Sequence, residues 1–239
     1  MRAGMSGWGI RSGAIALLAM LAACGPTQQA THRAVPSGFL GPEIRALMQP
    51  GTRPDQAQQF YISPGVDIRR YTSIIIEPVQ VWHEPGRPEA LTPEQLKFAA
   101  DLFYAAMREE LAKDFRIVSA HGPDTLILSS AITQVSEGGP PALATVSSFV
   151  PMTRLLRRGA SVITGSDPLT GSATGEMKVT DSETGELLGA AIDSRDGRTR
   201  AAVTTSRWDD VQSVARYWAE LVRFRLCRGQ QRQNCVAPS

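Results

Sequence analysis

The sequence lacks the motifs that mark common catalytic sites. It has no G-x-S-x-G stretch and no G-x-x-x-x-G-K-[ST] stretch, which argues against the nucleophile elbow of α/β-hydrolases and the phosphate-binding P-loop. Histidine is scarce, since the 239 residues contain three, His32, His83 and His121. Only His83 has a neighbouring carboxylate, Glu84, and adjacent residues of a strand point to opposite faces, which does not suit a shared metal. We therefore expect no catalytic site, no metal and no other cofactor.

The sequence also lacks an excess of charge of one sign. Its formal net charge is +2, from 25 Lys and Arg against 23 Asp and Glu. Two of the bases, Arg2 and Arg11, precede Cys24, so a chain that begins at Cys24 has 23 bases and 23 acids. A neutral chain has no global attraction to nucleic acid. We predict no nucleic-acid partner.

The N-terminal apolar run is short. From Ala14 to Ala23 every residue is Ala, Ile, Leu or Met, which makes ten residues, whereas a helix that spans a bilayer needs about 20. The run follows Arg2 and Arg11, and a positive region before a short apolar region is typical of a secretory signal. We therefore predict a signal peptide over residues 1–23.

The end of this run, Leu21-Ala22-Ala23-Cys24, resembles the lipobox of bacterial lipoproteins. The resemblance implies that a signal peptidase recognises Leu21, Ala22 and Ala23, and that the Cys24 thiol receives a diacylglycerol and becomes the mature N-terminus. Several acyl chains hold a protein in a membrane far more firmly than one. Gly25 follows where retention in the inner membrane usually requires Asp, so the resemblance implies a lipid anchor in the outer membrane with the protein facing the periplasm.

The rest of the sequence predicts a short linker and one domain. Residues 24–36 are polar and interrupted by Pro26 and Pro36, which predicts a flexible tether. Residues 37–229 are expected to form the domain and residues 230–239 a C-terminal tail. Within the domain, residues 37–64 mix turn residues with a few apolar ones and predict an extended arm laid on the surface.

The patterning after the arm predicts an α+β fold. A strand is expected over 71–82, with Pro78 at a bulge or strand end, and a helix over 91–115, opened by Pro93 and a Thr92–Gln95 capping box. Further strands are expected over 115–119 and 124–135, a hairpin over 177–192 with Gly185 in its loop, and a helix over 206–227 opened by S-x-x-D. The prediction is a single domain with a mixed, mainly antiparallel sheet in the order β-α-β-β-α-β-β-α, packed against two long amphipathic helices.

The segment from 143 to 165 has two interpretations. It is apolar for much of its length but contains Pro151 and three arginines, so it does not predict a membrane-spanning helix. It could be a broken helix that packs on the domain, or a basic amphipathic surface that contacts lipid or a partner. If the domain has an interaction surface, this segment is the first candidate, through Arg154, Arg157 and Arg158.

Cysteine usage agrees with export. With Cys24 modified, Cys227 and Cys235 are left, and in an oxidising compartment they could form a disulfide near the C-terminus. The alternative is two free thiols.

Four stretches of the sequence, in this order, resemble a family of bacterial lipoproteins known only as a domain of unknown function. They are SGFL, VDIRRYTSIIIEPVQVW, TGEMKVTDSETGELLGAAIDSR and SRWDDVQSVARYWAELVRFRL. The resemblance covers residues 37 to about 226 and implies an envelope lipoprotein with one α+β domain and no catalytic residues. We expect a non-enzymatic domain that binds a protein partner as an accessory or assembly factor. The alternative is a small-ligand or glycan-binding domain, with Trp82 as a stacking residue.

Overall fold

The computed structural model describes residues 27–30, 34, 36–53, 55–82, 91–136, 172–197 and 208–238. Within these residues the chain forms nine strands, three α-helices and one 3₁₀ turn. In chain order the elements are β1 (Gln28–Gln29), α1 (Gly41–Leu47), β2 (Gln49–Pro50), β3 (Gln59–Ile62), the 3₁₀ turn (Ile68–Arg70), β4 (Ser73–Ile76), β5 (Gln80–Val81), α2 (Pro93–Leu111), β6 (Arg116–Ile117), β7 (Thr125–Ser136), β8 (Ser172–Asp181), β9 (Leu187–Asp196) and α3 (Asp209–Gly229).

The strands form one mixed sheet in the order β2-β3-β9-β8-β7-β4-β6. The central strands β7, β8 and β9 are antiparallel, and β3 and β1 both pair antiparallel with the outer edge of β9. On the other side, β4 and β5 are parallel to β7, and β6 is parallel to β4. The prediction of a single α+β domain with a mixed, mainly antiparallel sheet is confirmed.

The two long helices cover one face of the sheet. Helix α2 begins as predicted, with Pro93 in its first turn and with the reciprocal Thr92–Gln95 capping box. Helix α3 packs beside it, and the rings of Phe103 and Trp218 lie 5.2 Å apart between them. Both helices bury their apolar sides against the sheet residues of the main core, which include Ile74, Leu126 and Leu128. Burial of these stripes is the main stabilising contribution of the helices.

Other predicted elements are confirmed in part. The strand expected over 71–82 is divided into β4 and β5 around Pro78, and the hairpin is formed by β8 and β9 with Gly185 at a φ of +71°. Helix α3 does not use the predicted S-x-x-D cap, because it begins at Asp209 with Trp208 as a cap that makes no side-chain hydrogen bond. Asp209 and Asp210 instead supply negative charge in the first turn, where the helix dipole favours it. The predicted order of elements also contains a middle helix, assigned to segment 143–165. This segment lies outside the described residues.

The predicted surface arm is partly a component of the sheet. Residues 59–62 form β3, which pairs with β9 through Gln59 opposite Ile192. Helix α1 and the loop before it cover the second face of the sheet, where Leu40 packs in a small apolar cluster with Ala190 and Ile192. The arm is ordered because the edge of β9 offers unpaired backbone groups, and pairing with β3 satisfies them.

The tether predicted for residues 24–36 is wrong for the part of it that the structure describes. Gln28 and Gln29 form β1 on the edge of β9, and Ala30 and Ala34 are buried. The polar composition suggested solvation, but the glutamine side chains find protein partners, since Gln29 Nε2 donates to Asp193 Oδ1 at 2.9 Å. The chain is therefore already part of the folded domain at Thr27.

The predicted C-terminal tail is also fixed to the domain. Gln230 is buried and its Nε2 donates to the carbonyl of Tyr71 at 2.7 Å. A disulfide joins Cys227 of α3 to Cys235, with Cα atoms 5.7 Å apart, a distance in the ordinary disulfide range. Residues 230–235 are therefore closed back onto the end of α3.

Candidate functional site

The first strand is held by a buried charged pair. Asp193 and Arg195 lie two residues apart on β9, so they share the face that α3 covers, and each side chain is 3% exposed. Arg195 Nε donates to Asp193 Oδ2 at 3.0 Å, and Trp218 Nε1 of α3 donates to the same oxygen at 2.9 Å. Asp193 Oδ1 accepts from Gln29 Nε2 and from the backbone N–H of Gln58 at 3.0 Å. Four donors thus converge on one carboxylate.

Arg195 extends this arrangement to the start of the described chain. Its Nη1 donates to the carbonyl oxygen of Thr27 at 3.1 Å, and its Nη2 donates to the hydroxyl of Tyr217 at 2.8 Å. The guanidinium carbon lies 3.6 Å from the centre of the Tyr217 ring, a cation–π contact that is strengthened by the absence of solvent. The N-terminal segment is thereby connected to both the sheet and α3.

The position of Cys24 follows from chain length. Cys24, together with Leu21, Ala22 and Ala23, lies outside the described residues, and Thr27 is three residues after Cys24. Three residues span at most about 11 Å when fully extended. The backbone of Cys24 therefore lies at most about 11 Å from that of Thr27.

A second candidate surface surrounds Trp82, at the end of β5. Its backbone N–H donates to Ile132 O at 2.9 Å, and its side chain is 36% exposed. The ring of Phe39 meets Trp82 edge-on with centres 6.0 Å apart, and Lys178 Nζ lies 5.7 Å from the centre of the Phe39 ring. An exposed indole beside a second aromatic ring is suited to contacts with a ring-shaped ligand or an aromatic side chain.

Glu176 fixes the loop that carries Phe39. It is fully buried, and its two oxygens accept from the backbone N–H groups of Ser37 and Leu40. Gly38 between them has a φ of +109°, a conformation that favours glycine. Because backbone donors occupy both oxygens, Glu176 is a positioning residue for the loop.

Asp181 organises the turn at the other end of the sheet. Its Oδ1 accepts from the backbone N–H groups of Glu183 and Thr184, and its Oδ2 accepts from the Tyr71 hydroxyl at 2.8 Å and from Arg70. Burial alone would raise the pKa of the Asp181 carboxyl, but the hydrogen bonds from Thr184 and Tyr71 outweigh it and lower this pKa from 3.8 to about 2. A carboxylate with so low a pKa is a poor general acid or base near neutral pH.

This pKa predicts a pH-dependent contribution to stability. The ionised carboxylate stabilises the fold above pH 3.8, and that contribution is lost as the pH falls from 3.8 to about 2. Tyr71→Phe removes one donor and is expected to lower the free energy of unfolding by about 1.5 kcal/mol at pH 7, with a smaller loss at pH 3. Urea unfolding at both pH values measures this. Tyr104→Phe on α2 is the control, and an equal loss at both pH values for Tyr71→Phe would contradict the assignment.

The groove between α2 and α3 is too small for a typical ligand. It encloses about 90 Å³ and is lined by Leu102, Glu109, Gln212, Arg216 and their neighbours, whereas ligand pockets usually have about 300 Å³ or more. Over the described ranges, no group of three or more His, Cys, Asp or Glu side chains is placed to hold a metal ion. In the same ranges no helix is both long and apolar enough to cross a membrane.

Comparison with known families identifies the domain. A family model described as a protein of unknown function, DUF3313, matches residues 35–222. The chain belongs to the DUF3313 family. The resemblance to a family known only as a domain of unknown function is confirmed. No curated protein matches this chain.

Several solved structures are similar to this DUF3313 domain at low identity. The PelC dodecamer from Paraburkholderia phytofirmans is 13% identical, with 73% of this chain and 96% of that chain covered and a TM-score of 0.38. XCC0632 from Xanthomonas campestris, described as DUF330, is 11% identical, with 76% and 95% covered and a TM-score of 0.39. A neuraminyllactose-binding hemagglutinin homolog from Helicobacter pylori is 7% identical, with 70% and 86% covered and a TM-score of 0.30. These TM-scores are too low to carry an argument about function.

The sequence-predicted site of this DUF3313 chain remains a prediction. Arg154, Arg157 and Arg158 lie outside the described residues. The buried pair of Asp193 and Arg195 was not predicted, although its two-residue spacing places both charges on one face of the strand. That pattern, directly after the apolar run of residues 187–192, could have indicated a buried ion pair.

Proposed function

We propose that the chain is a bacterial lipoprotein anchored to the outer membrane through acylated Cys24, with its domain in the periplasm. The observation that carries the proposal is the junction between the lipobox and the fold. The apolar run ends at Cys24, and β1 begins four residues later at Gln28. A lipid anchor at this place holds the domain directly against the membrane rather than on a long linker.

We infer further that the domain is not an enzyme. The buried carboxylates of Glu176, Asp181 and Asp193 are each occupied by structural donors from backbone or neighbouring side chains. A general base needs a free lone pair directed at a substrate. The described polar clusters therefore support positioning roles, and the domain acts by binding.

The proposed partner is an envelope protein, which the domain serves as an accessory or assembly factor. The segment that holds Arg154, Arg157 and Arg158 connects β7 to β8. The described part of β7 ends at Ser136 and the described part of β8 begins at Ser172, and these two residues are paired across the strands. The segment therefore starts and finishes at one end of the sheet, which supports an interaction surface at that end.

The partner proposal predicts the loss of one crosslinked protein. In vivo crosslinking followed by detergent extraction is expected to yield a stoichiometric partner with the wild-type chain. The triple variant Arg154→Ala, Arg157→Ala and Arg158→Ala is expected to lose it. The matched control replaces three exposed bases, Arg69, Lys97 and Arg116, by Ala. Retention of the partner in the first triple variant, or equal loss in both, would contradict the assignment.

A second candidate function is the binding of a small ligand or glycan. The observation that favours it is the exposed indole of Trp82 beside Phe39, whose own ring lies near Lys178 Nζ. Tryptophan emission titrated with soluble oligosaccharides tests it, with Trp82→Phe as the variant that should abolish the change. No crosslinked partner in any sample, together with such a change, would favour this candidate.

A further inference from the structure

The start of β1 and the ends of three other strands lie at one end of the sheet. Gln28 pairs with Asp196, Asp196 pairs with Ser172, and Ser172 pairs with Ser136. The terminal residues of β1, β9, β8 and β7 therefore lie side by side at this end. Cys24 precedes Thr27 by three residues, so it lies within about 11 Å of the same end.

Helix α3 begins at this end of the sheet. Gly197 directly follows β9, and a Cβ atom on Gly197 would lie 2.3 Å from Asp210 Cβ. The first turn of α3 therefore touches the chain immediately after β9. Trp208, which precedes α3, meets Phe98 of α2 edge-on with ring centres 5.2 Å apart. The rings of Phe98 and Trp208 therefore lie at the end of the sheet where β1 begins.

Phe98 is more exposed than packing of α2 requires. It is 46% exposed, whereas Phe103 on the next turn is buried in the core. A large apolar side chain is thus exposed beside an indole at the end of the sheet nearest Thr27.

We propose that Phe98 and Trp208 contact the bilayer that holds the acyl chains of Cys24, so that the domain docks on the membrane through this end. The proposal rests on the proposed acylation of Cys24. An anchored chain of three residues keeps Thr27 within about 11 Å of the membrane surface, and the headgroup layer on each side is about 5 to 8 Å thick. Indole and phenyl rings are favoured in that layer.

Nearby charges limit the depth of this contact. Glu94 and Asp209 lie in the first turns of α2 and α3, and an ionised carboxylate is costly to transfer into hydrocarbon. The rings therefore contact the membrane at the level of the headgroups. The acyl anchor supplies the affinity, and the aromatic pair sets the orientation of the domain.

Quenching of tryptophan emission by brominated lipids tests the proposal. The mature protein, extracted in detergent, is reconstituted into vesicles of phosphatidylethanolamine and phosphatidylglycerol with brominated acyl chains. The Trp82→Phe variant retains Trp208 and the buried Trp218, whereas the double variant Trp82→Phe/Trp208→Phe retains Trp218 alone. The fractional loss of emission is expected to be several-fold larger for the Trp82→Phe protein than for the double variant. Equal fractional quenching of the two proteins would overturn the proposal.

A second pair of variants addresses Phe98. In the Trp82→Phe protein, Phe98→Gln is expected to reduce the quenching of Trp208, because a polar side chain loses the interfacial contact. Ile62→Gln is the matched control, since Ile62 is 62% exposed and ends β3 at the level of Gly189, towards the β8–β9 turn. Circular dichroism of each variant verifies that the fold is retained. Equal effects of the two substitutions would contradict the orientation.

The mass of the N-terminal peptide, recorded on the same preparations, separates the two proposals. An acylated Cys24 with an unquenched Trp208 overturns the docking orientation and leaves the proposed anchor intact. An unmodified Cys24 overturns the anchor, and the docking orientation falls with it.

Discussion

Replacement of Asp193 by Ala is expected to destabilise the domain by about 3 to 5 kcal/mol, the range for removing one partner of a buried ion pair. The Arg195 guanidinium, with its side chain 3% exposed, would lose the carboxylate of Asp193. Trp218 Nε1 and Gln29 Nε2 would lose the acceptor that they now share. The penalty comes from several desolvated groups that lose this acceptor at once, more than from the energy of any single hydrogen bond.

Urea unfolding of Asp193→Ala measures this effect, and Asp101→Ala is the matched control. Asp101 forms a surface ion pair with Lys97, in which both side chains are more than half exposed, so its loss is expected to cost less than about 1 kcal/mol. Hydrogen exchange supplies a second result that is specific to the network. The amides of Gln28 to Ala30 should exchange faster in Asp193→Ala, because β1 loses the link that Asp193 makes between Gln29 and Trp218 of α3. Equal destabilisation by the two substitutions would contradict the assigned role.

Replacement of Cys24 by Ser is expected to remove the protein from the outer membrane. The hydroxyl cannot be acylated by the pathway that the lipobox resembles, and each buried CH₂ of an acyl chain contributes about 0.8 kcal/mol to anchoring. The variant should be soluble in the periplasm or remain uncleaved at the inner membrane. Cell fractionation measures the distribution. Cys235→Ser is the control, since it removes a different thiol and should leave the distribution unchanged, and an unchanged outer-membrane fraction of Cys24→Ser would refute acylation as the anchor.

The parts of the fold that sequence predicted well are those specified locally. The start of α2 is encoded by Thr92, Pro93 and Gln95, whose capping contacts lie within one turn. The β8–β9 hairpin is encoded by alternation on either side of a turn that Gly185 permits. In both cases the residues that interact lie close together in the sequence, so the local sequence pattern is sufficient to predict the element.

The parts that sequence predicted badly depend on distant partners. Gln28 and Gln29 have no preference for strands, and they form β1 because the edge of β9, more than 160 residues later, is open to them. Strand β3 also depends on pairing with the distant β9. The turn residues around it predicted a surface arm instead of a strand. Asp193 and Arg195 could have been identified as facing one side of a strand, but their partners on α3 could not, because that contact depends on how the helix lies across the sheet.

The most direct test of the lipid anchor is the mass of the N-terminal peptide of the mature protein, purified from the membrane in detergent and digested. We expect a peptide that begins at Cys24 and carries the added mass of a diacylglycerol on its sulfur. A peptide that retains residues 1–23, or one that begins at Cys24 with an unmodified thiol, would contradict the proposal that this domain is held at the membrane by its first residue.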